Sequence, residues 1–184
     1  MIRISRFVVL YPEHLNFSVS ASNPHYKKLL IPASEMRQYQ PQLQDQLSES
    51  FLERAEQRGD YCYAIFDQAH LVSFGWYATA TARLFDRCLT FNPDYVYMYH
   101  GYTRPDYRGE RLHALGLAEA MMVFQVQEKR AIISTINITN YPVRKSIERL
   151  GFRYAGYIMQ FGPTRLGLLH VTPKAQTYGI RLRR

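Results

Sequence analysis

Apolar and polar positions divide the chain into short alternating or fully apolar runs separated by turn residues. Ile4 to Tyr11 reads as a first strand. A polar stretch with Asn23-Pro24 follows. Ala33 to Arg58 reads as one or two helices, with Ser34 as a possible cap and a break at Gln40-Pro41. There Leu43, Leu47, Phe51 and Leu52 fall near helical spacing and define one buried face. From Tyr61 the period shortens. Tyr61–Phe66 and Leu71–Tyr77 are strands around a turn at Asp67–His70, a hairpin. Asn92-Pro93-Asp94 is a second turn, and Tyr95 to Thr103 a long aromatic strand.

The next turn, Arg104-Pro105-Asp106-Tyr107-Arg108-Gly109, leads into a helix from about Glu110 to Lys129. Its stripe includes Leu112, Leu115, Met122 and Val126. Ala131 to Ile136 is a short β-branched strand. Pro142 to Leu150 is a helix with proline in its first turn and Gly151 as its stop. Two further strands reach Val171, and Arg181-Leu182-Arg183-Arg184 is read as a solvated basic tail. No repeat or low-complexity segment interrupts this order. It predicts an α/β (α+β) layer fold with a mixed central sheet of about six to seven strands flanked by helices. A doubly wound dinucleotide fold would alternate strictly and carry GxGxxG, which is absent.

A length of 184 residues suits one domain with a sizeable core. The formal net charge of +8 favours anionic partners, among them nucleic acid, a membrane surface or a phosphorylated cofactor. Nucleic acid is disfavoured, because no helix-turn-helix pairing, zinc spacing or RNP-like motif accompanies the charge. The apolar run near Phe7 is too short for a signal or a membrane span, so the expectation is a cytoplasmic protein with no membrane partner. The two cysteines, Cys62 and Cys88, form no CxxC or metal-spaced cluster. Both are read as buried apolar residues, and no metal is expected. The strand aromatics Phe74, Trp76, Tyr77, Tyr95, Tyr97, Tyr99 and Tyr102 either line an acceptor pocket or fill a core; core packing is the preferred reading.

The turn before the long helix carries candidate chemistry. A strand feeding a glycine-containing turn that opens a helix offers unpaired N–H groups and the positive end of the macrodipole. Gly109 lets a ligand approach the backbone, and Arg104, Arg108 and Arg111 add charge suited to phosphate. Together they form a plausible diphosphate cradle, or an ordinary strand-turn-helix link.

The segment Thr103-Arg104-Pro105-Asp106-Tyr107-Arg108-Gly109-Glu110-Arg111-Leu112-His113 resembles the acyl-CoA signature V-x-P-x-Y-R-G-x-G-x-G/A of the GNAT N-acetyltransferase superfamily. Arg111 and His113 depart from it, standing where the family has small residues. A second segment, Asn140 to Gly151-Phe152, is similar to the family's Asn…Gly-Phe motif and follows about thirty residues later. The resemblance covers roughly residues 60–160. It implies one acyltransferase domain, with 1–60 as a variable acceptor-side part, 61–171 as the acyl-CoA-binding core and 172–184 as the basic tail.

The implied donor is acetyl-CoA or another acyl-CoA, with acyl carrier protein as a further possibility, and the acceptor an amine; a homodimer is also possible. The implied cofactor-binding residues are Tyr102, Thr103, Arg104, Tyr107, Arg108, Gly109, Glu110, Arg111, Leu112, His113, Asn140 and Ser146. A backbone amide near Gly101 or Tyr102 is expected to polarise the thioester carbonyl. The family's base positions correspond to Tyr97 and Tyr99. His100 beside them can act as base directly or through water, or be a core histidine on the opposite face. The family's leaving-group tyrosine is replaced by Ile147, with Tyr141, Tyr154 and Tyr157 as possible substitutes. These departures leave a second reading open, a degenerate domain that binds acyl-CoA without turnover.

Overall fold

The burial of the first strand fixes where it must lie. In β1 (Ile2–Leu10) the run Phe7-Val8-Val9-Leu10 is buried on both faces, as an interior strand requires. The computed structural model describes residues 2–16, 25–163 and 167–183. The polar stretch around Asn23-Pro24 and the terminal Arg184 lie outside the described residues. β1 sits inside an eight-stranded sheet. The order is β10 (Leu168–Val171), β9 (Arg153–Phe161), β1, β8 (Ala131–Asn137), β7 (Tyr95–Thr103), β4 (His70–Ala78), β3 (Tyr61–Asp67) and β2 (Lys27–Pro32). Only β7 and β8 pair in parallel; the other neighbours are antiparallel. A second sheet of β11 (Arg181–Arg183), β6 (Arg87–Thr90) and β5 (Thr81–Leu84) packs beside it.

One face of the large sheet carries α2 (Leu112–Val126) and α3 (Tyr141–Leu150) over a core that includes Leu10, Val72, Tyr77, Val96, Phe124 and Leu150. The other face holds two cores. A 3-10 segment, Ala33–Gln42, and α1 (Glu49–Gln57) cover Cys62, Phe74 and Trp76. The small sheet and the one-turn α4 (Pro173–Gln176) cover Phe7, Tyr97 and Ile158. The result is the expected α+β layer architecture with a mixed sheet. No helix among the described residues is long and apolar enough to cross a membrane.

Several expectations are corrected. The sheet has eight strands rather than six or seven, because Lys27–Pro32 forms an edge strand. Its lysines hid it: Lys28 Nζ reaches Glu119 Oε1 on α2 at 2.7 Å, which keeps a charged strand on the sheet. Ser34 caps nothing. The 3-10 segment begins after Pro32, and the true cap is Ser48, whose hydroxyl accepts from Phe51 N at 3.3 Å. On α2, Met122 and Val126 are 43% and 86% exposed, so the buried stripe runs through Leu112, Leu115, Ala118 and Phe124 instead. Cys88 is exposed, whereas Cys62 is buried. Residues 173–176 and 181–183 form α4 and β11, although Arg181 and Arg183 are exposed as a solvated end would have them.

Candidate active site

The site follows from an interruption in pairing. Between β4 and β7 the register shifts. Trp76 lies opposite His100 and Tyr77 opposite Met98, which leaves Tyr99 as a bulge residue. On its other side β7 pairs with β8 only from Tyr95 to Met98. Beyond Met98 the two parallel strands part. The opening is a cavity of about 260 Å³ lined by Tyr99, His100 and Gly101 of β7 and Ser134 to Asn137 of β8. His113 and Leu117 of α2 and Asn140, Val143 and Ile147 of α3 close it from the helical face. Separated strand edges leave N–H and C=O groups available to an extended ligand.

His113 also lines a neighbouring recess formed by Asn16, Arg111, Ala114, Pro142, Lys145, Ser146 and Arg149. Three cations therefore converge at the start of α2. Gly109 adopts φ +96, and no atom lies within 4 Å of where its Cβ would be. A side chain there would be strained, and the space above it is open. Arg111 is the residue before the helix and is itself left-handed, φ 60. Arg111 holds at some cost a backbone conformation that a glycine there would adopt freely.

The turn is pinned from outside. Tyr107 donates its hydroxyl to Asp67 at 2.8 Å, and His25 Nε2 lies 2.8 Å from the same carboxylate. The Tyr107 hydrogen bond is the main reason Asp67 sits below the usual carboxylate range. Tyr26 donates to Glu110. Two implied cofactor residues point elsewhere. Arg104 spends its guanidinium on the carbonyls of Leu71 and Gln42, at 2.8 and 2.9 Å, and so braces the turn. Leu112 buries its side chain in the core. Tyr102 stacks on Phe74 with ring centroids 5.6 Å apart. Thr103 shares a hydrogen bond with Ser73 at 2.8 Å. Asn140 caps α3, accepting from Val143 N at 3.4 Å, while lining the cavity. Ser146 lines the basic recess, and Arg108 is exposed on the turn.

The three base candidates separate clearly. Tyr97 is a core residue with 1% exposure; its hydroxyl meets Thr135 Oγ1 at 2.6 Å, and burial pushes its pKa up to about 12. Tyr99 donates to Asp60 at 2.8 Å and accepts from Arg58 at 3.3 Å. Burial and this acid drive its pKa strongly upward, so it stays protonated. His100 borders the cavity along β7, but its ring lies between Phe51 and Phe74, each 5.4 Å away, on the sheet face that α1 covers, opposite α2 and α3. Burial lowers its pKa, a hydrogen bond to the Gln46 backbone opposes this, and Nε2 has no partner among the described residues. The ring thus sits on the face opposite the helices, the alternative that the sequence left open, and its buried Nε2 would serve as a base only toward a group entering from the α1 side.

Tyr141, Tyr154 and Tyr157 do not line the cavity, and the first two are 64% and 43% exposed. Ile147 does line it.

The sequence reading missed two residues here, Arg58 and Asp60. Asp60, 1% exposed, accepts from Arg58 at 2.6 and 2.9 Å as well as from Tyr99. It follows the left-handed Gly59 that ends α1, a signal of a helix stop but not of chemistry. His113, read as a departure from the pattern and as an implied cofactor-binding residue, lines the cavity, and burial lowers its pKa to about 4 and keeps it neutral.

No protein-family model and no curated protein matches the sequence. The fold does match solved structures. A tandem GNAT protein of the clavulanic acid biosynthesis pathway aligns with TM-score 0.58 at 16% identity, over 83% of this chain and 50% of that one. A GCN5-related N-acetyltransferase from Kribbella flavida aligns with TM-score 0.56 at 14% identity, over 98% of this chain and 63% of that one. A putative acetyltransferase of the GNAT family from Novosphingobium aromaticivorans aligns with TM-score 0.56 at 14% identity, over 94% and 66%. The chain thus spans about half to two-thirds of the length of these structures. Its fold is that of the GNAT N-acetyltransferases.

Proposed function

We propose that the chain is an acyltransferase that moves an acetyl or other acyl group from acyl-CoA to an amine. The observation that carries this is the parting of β7 and β8 into a cavity that meets, at His113, a three-cation recess at the start of α2. An acyl-CoA supplies an activated acyl thioester on a long arm ending in phosphates. Arg111, Lys145 and Arg149, with the N–H groups of the first turn of α2, suit the phosphates. The open space over Gly109 admits a close approach. The edge of β7 near Gly101 and Tyr102 suits the arm and offers an amide to the carbonyl.

In this reading His100 Nε2 takes the proton from an amine entering from the α1 side, and the contact of Phe51 with the ring supports an acceptor side drawn from residues 1–60. The attack is direct, with no covalent intermediate on the enzyme. A second reading, acyl-CoA binding without turnover, draws on the placement of His113 across Gly101: a Cβ at Gly101 would lie 2.5 Å from the ring.

The test has two stages. Thermal shift is measured with CoA, acetyl-CoA, longer acyl-CoAs and NAD, on wild type, Arg111→Ala and Lys145→Ala. Ligand that binds the native state raises the midpoint by mass action. A rise with CoA species that shrinks in both variants supports the reading; no rise with any CoA species refutes it. Thiol release from acetyl-CoA across a panel of amines follows. Turnover lost in His100→Ala supports an enzyme, and binding without any turnover selects the second reading.

A further inference from the structure

We propose that His113 is a catalytic residue that holds the leaving thiolate: its ring N–H donates a hydrogen bond to the sulfur as the carbon–sulfur bond breaks. The inference rests on the acyl-CoA reading above and deepens it. His113 lies where the superfamily pattern has a small residue, so the role belongs to this chain. Three observations converge on the ring. It lines the same small cavity as Gly101 and Ile147, so the strand edge and the vacated acid position both border it. It packs against Gly101, whose built Cβ would lie 2.5 Å from His113 Cε1 and 3.0 Å from Nδ1. That strand position is exposed and borders the edge offered to the thioester. The same ring also borders the cationic recess, so an arm running from recess to cavity must pass it.

The chemistry balances without further reactants. The amine nitrogen forms a bond to the acyl carbon; the carbon–sulfur bond breaks, and the electron pair leaves on sulfur. The amine's proton passes to solvent, directly or by way of His100, and solvent returns one to the thiolate, giving amide and free thiol. His113 remains neutral throughout and supplies only the donor, as its dehydrated imidazole is suited to do. The other groups facing it do not replace it. Tyr63 and Tyr77, which meet it from β3 and β4, are held protonated by burial. Ser134, Thr135, Asn137 and Asn140 carry no charge, and Tyr99 is committed to Asp60. Arg111, Lys145 and Arg149 favour an anion from the outer recess in every variant below, so they cancel in comparison.

The test needs no acceptor. Free CoA is bound to wild type, His113→Ala and His113→Gln, and its thiol is titrated by the difference absorbance of the thiolate. A hydrogen bond to the charged form lowers the midpoint. We expect the wild-type midpoint to lie about one pH unit below that of His113→Ala, a tenfold gain in acidity. His113→Gln, which keeps an N–H donor, should recover part of it. Equal midpoints in wild type and His113→Ala, with CoA bound to both, would overturn this inference alone. So would tighter CoA binding to His113→Ala with no change in midpoint, since the ring would then merely obstruct. Absence of CoA binding to wild type would overturn the acyl-CoA reading and this inference with it.

Discussion

The pairing of Gly101 with His113 makes a quantitative prediction. In a strand, replacing glycine by alanine ordinarily stabilises by about 0.4–1 kcal/mol, because the unfolded chain loses freedom. At Gly101 the new Cβ would sit 2.5 Å from His113 Cε1 and 2.8 Å from Met98 Cε. The Met98 methyl is the end of a flexible side chain and can yield. The His113 ring is held between the strand and the body of α2, so overpacking of about 1–3 kcal/mol is expected. Gly101→Ala should therefore destabilise by about 0.5–2 kcal/mol, or roughly 2–4 °C in melting temperature per kcal/mol for a chain of this length. In a His113→Ala background the same change should become neutral or stabilising. A double-mutant cycle by urea unfolding should then give a coupling of about 1–2 kcal/mol, relieved in the double variant. Additivity within about 0.5 kcal/mol would refute the contact.

Three further outcomes can be measured on the same preparation. Arg111→Gly should raise stability by about 1 kcal/mol, because φ 60 is costly for a side chain, while it weakens CoA binding; loss of stability would show that the strain is absent. His113, lowered by burial from 6.5 to about 4, binds a proton in the unfolded chain but not in the folded one between those values. Its contribution is thus complete above about pH 6.5 and lost as pH falls towards 4, by up to about 3 kcal/mol. His113→Gln should flatten the stability profile in that window, leaving a residual slope of the same sign from His100; an unchanged profile would contradict the shift. Gly151→Ala should cost about 2–4 kcal/mol by denaturant titration, because φ is +108 and a Cβ would meet the His14 carbonyl oxygen at 1.9 Å. A cost under 1 kcal/mol would mean the helix end can move freely.

What the chain disclosed in advance were features whose chemistry is local. The turn ending at Gly109, the Asn140 cap and the Gly151 stop depend on consecutive backbone, so spacing alone located them. What it concealed depends on strand pairing. Asp60 and Tyr99 are 39 residues apart and meet only because α1 ends beside the β7 bulge. Arg104 looked like a phosphate ligand because three arginines stood in one turn, yet strand geometry sends its side chain to the carbonyls of Leu71 and Gln42.

The two departures from the signature have different physical meanings. Arg111 holds a left-handed backbone, which a glycine takes freely, and adds a cation to the recess. His113 fills space that the pattern leaves empty, and Gly101 across the contact gives that space back. Close approach of helix and strand needs one small residue at the crossing, on either side. A motif read along one segment registers the loss on the helix and cannot see the compensation on the strand. The exchange leaves an imidazole, rather than a hydrogen or a methyl group, beside the open edge of β7.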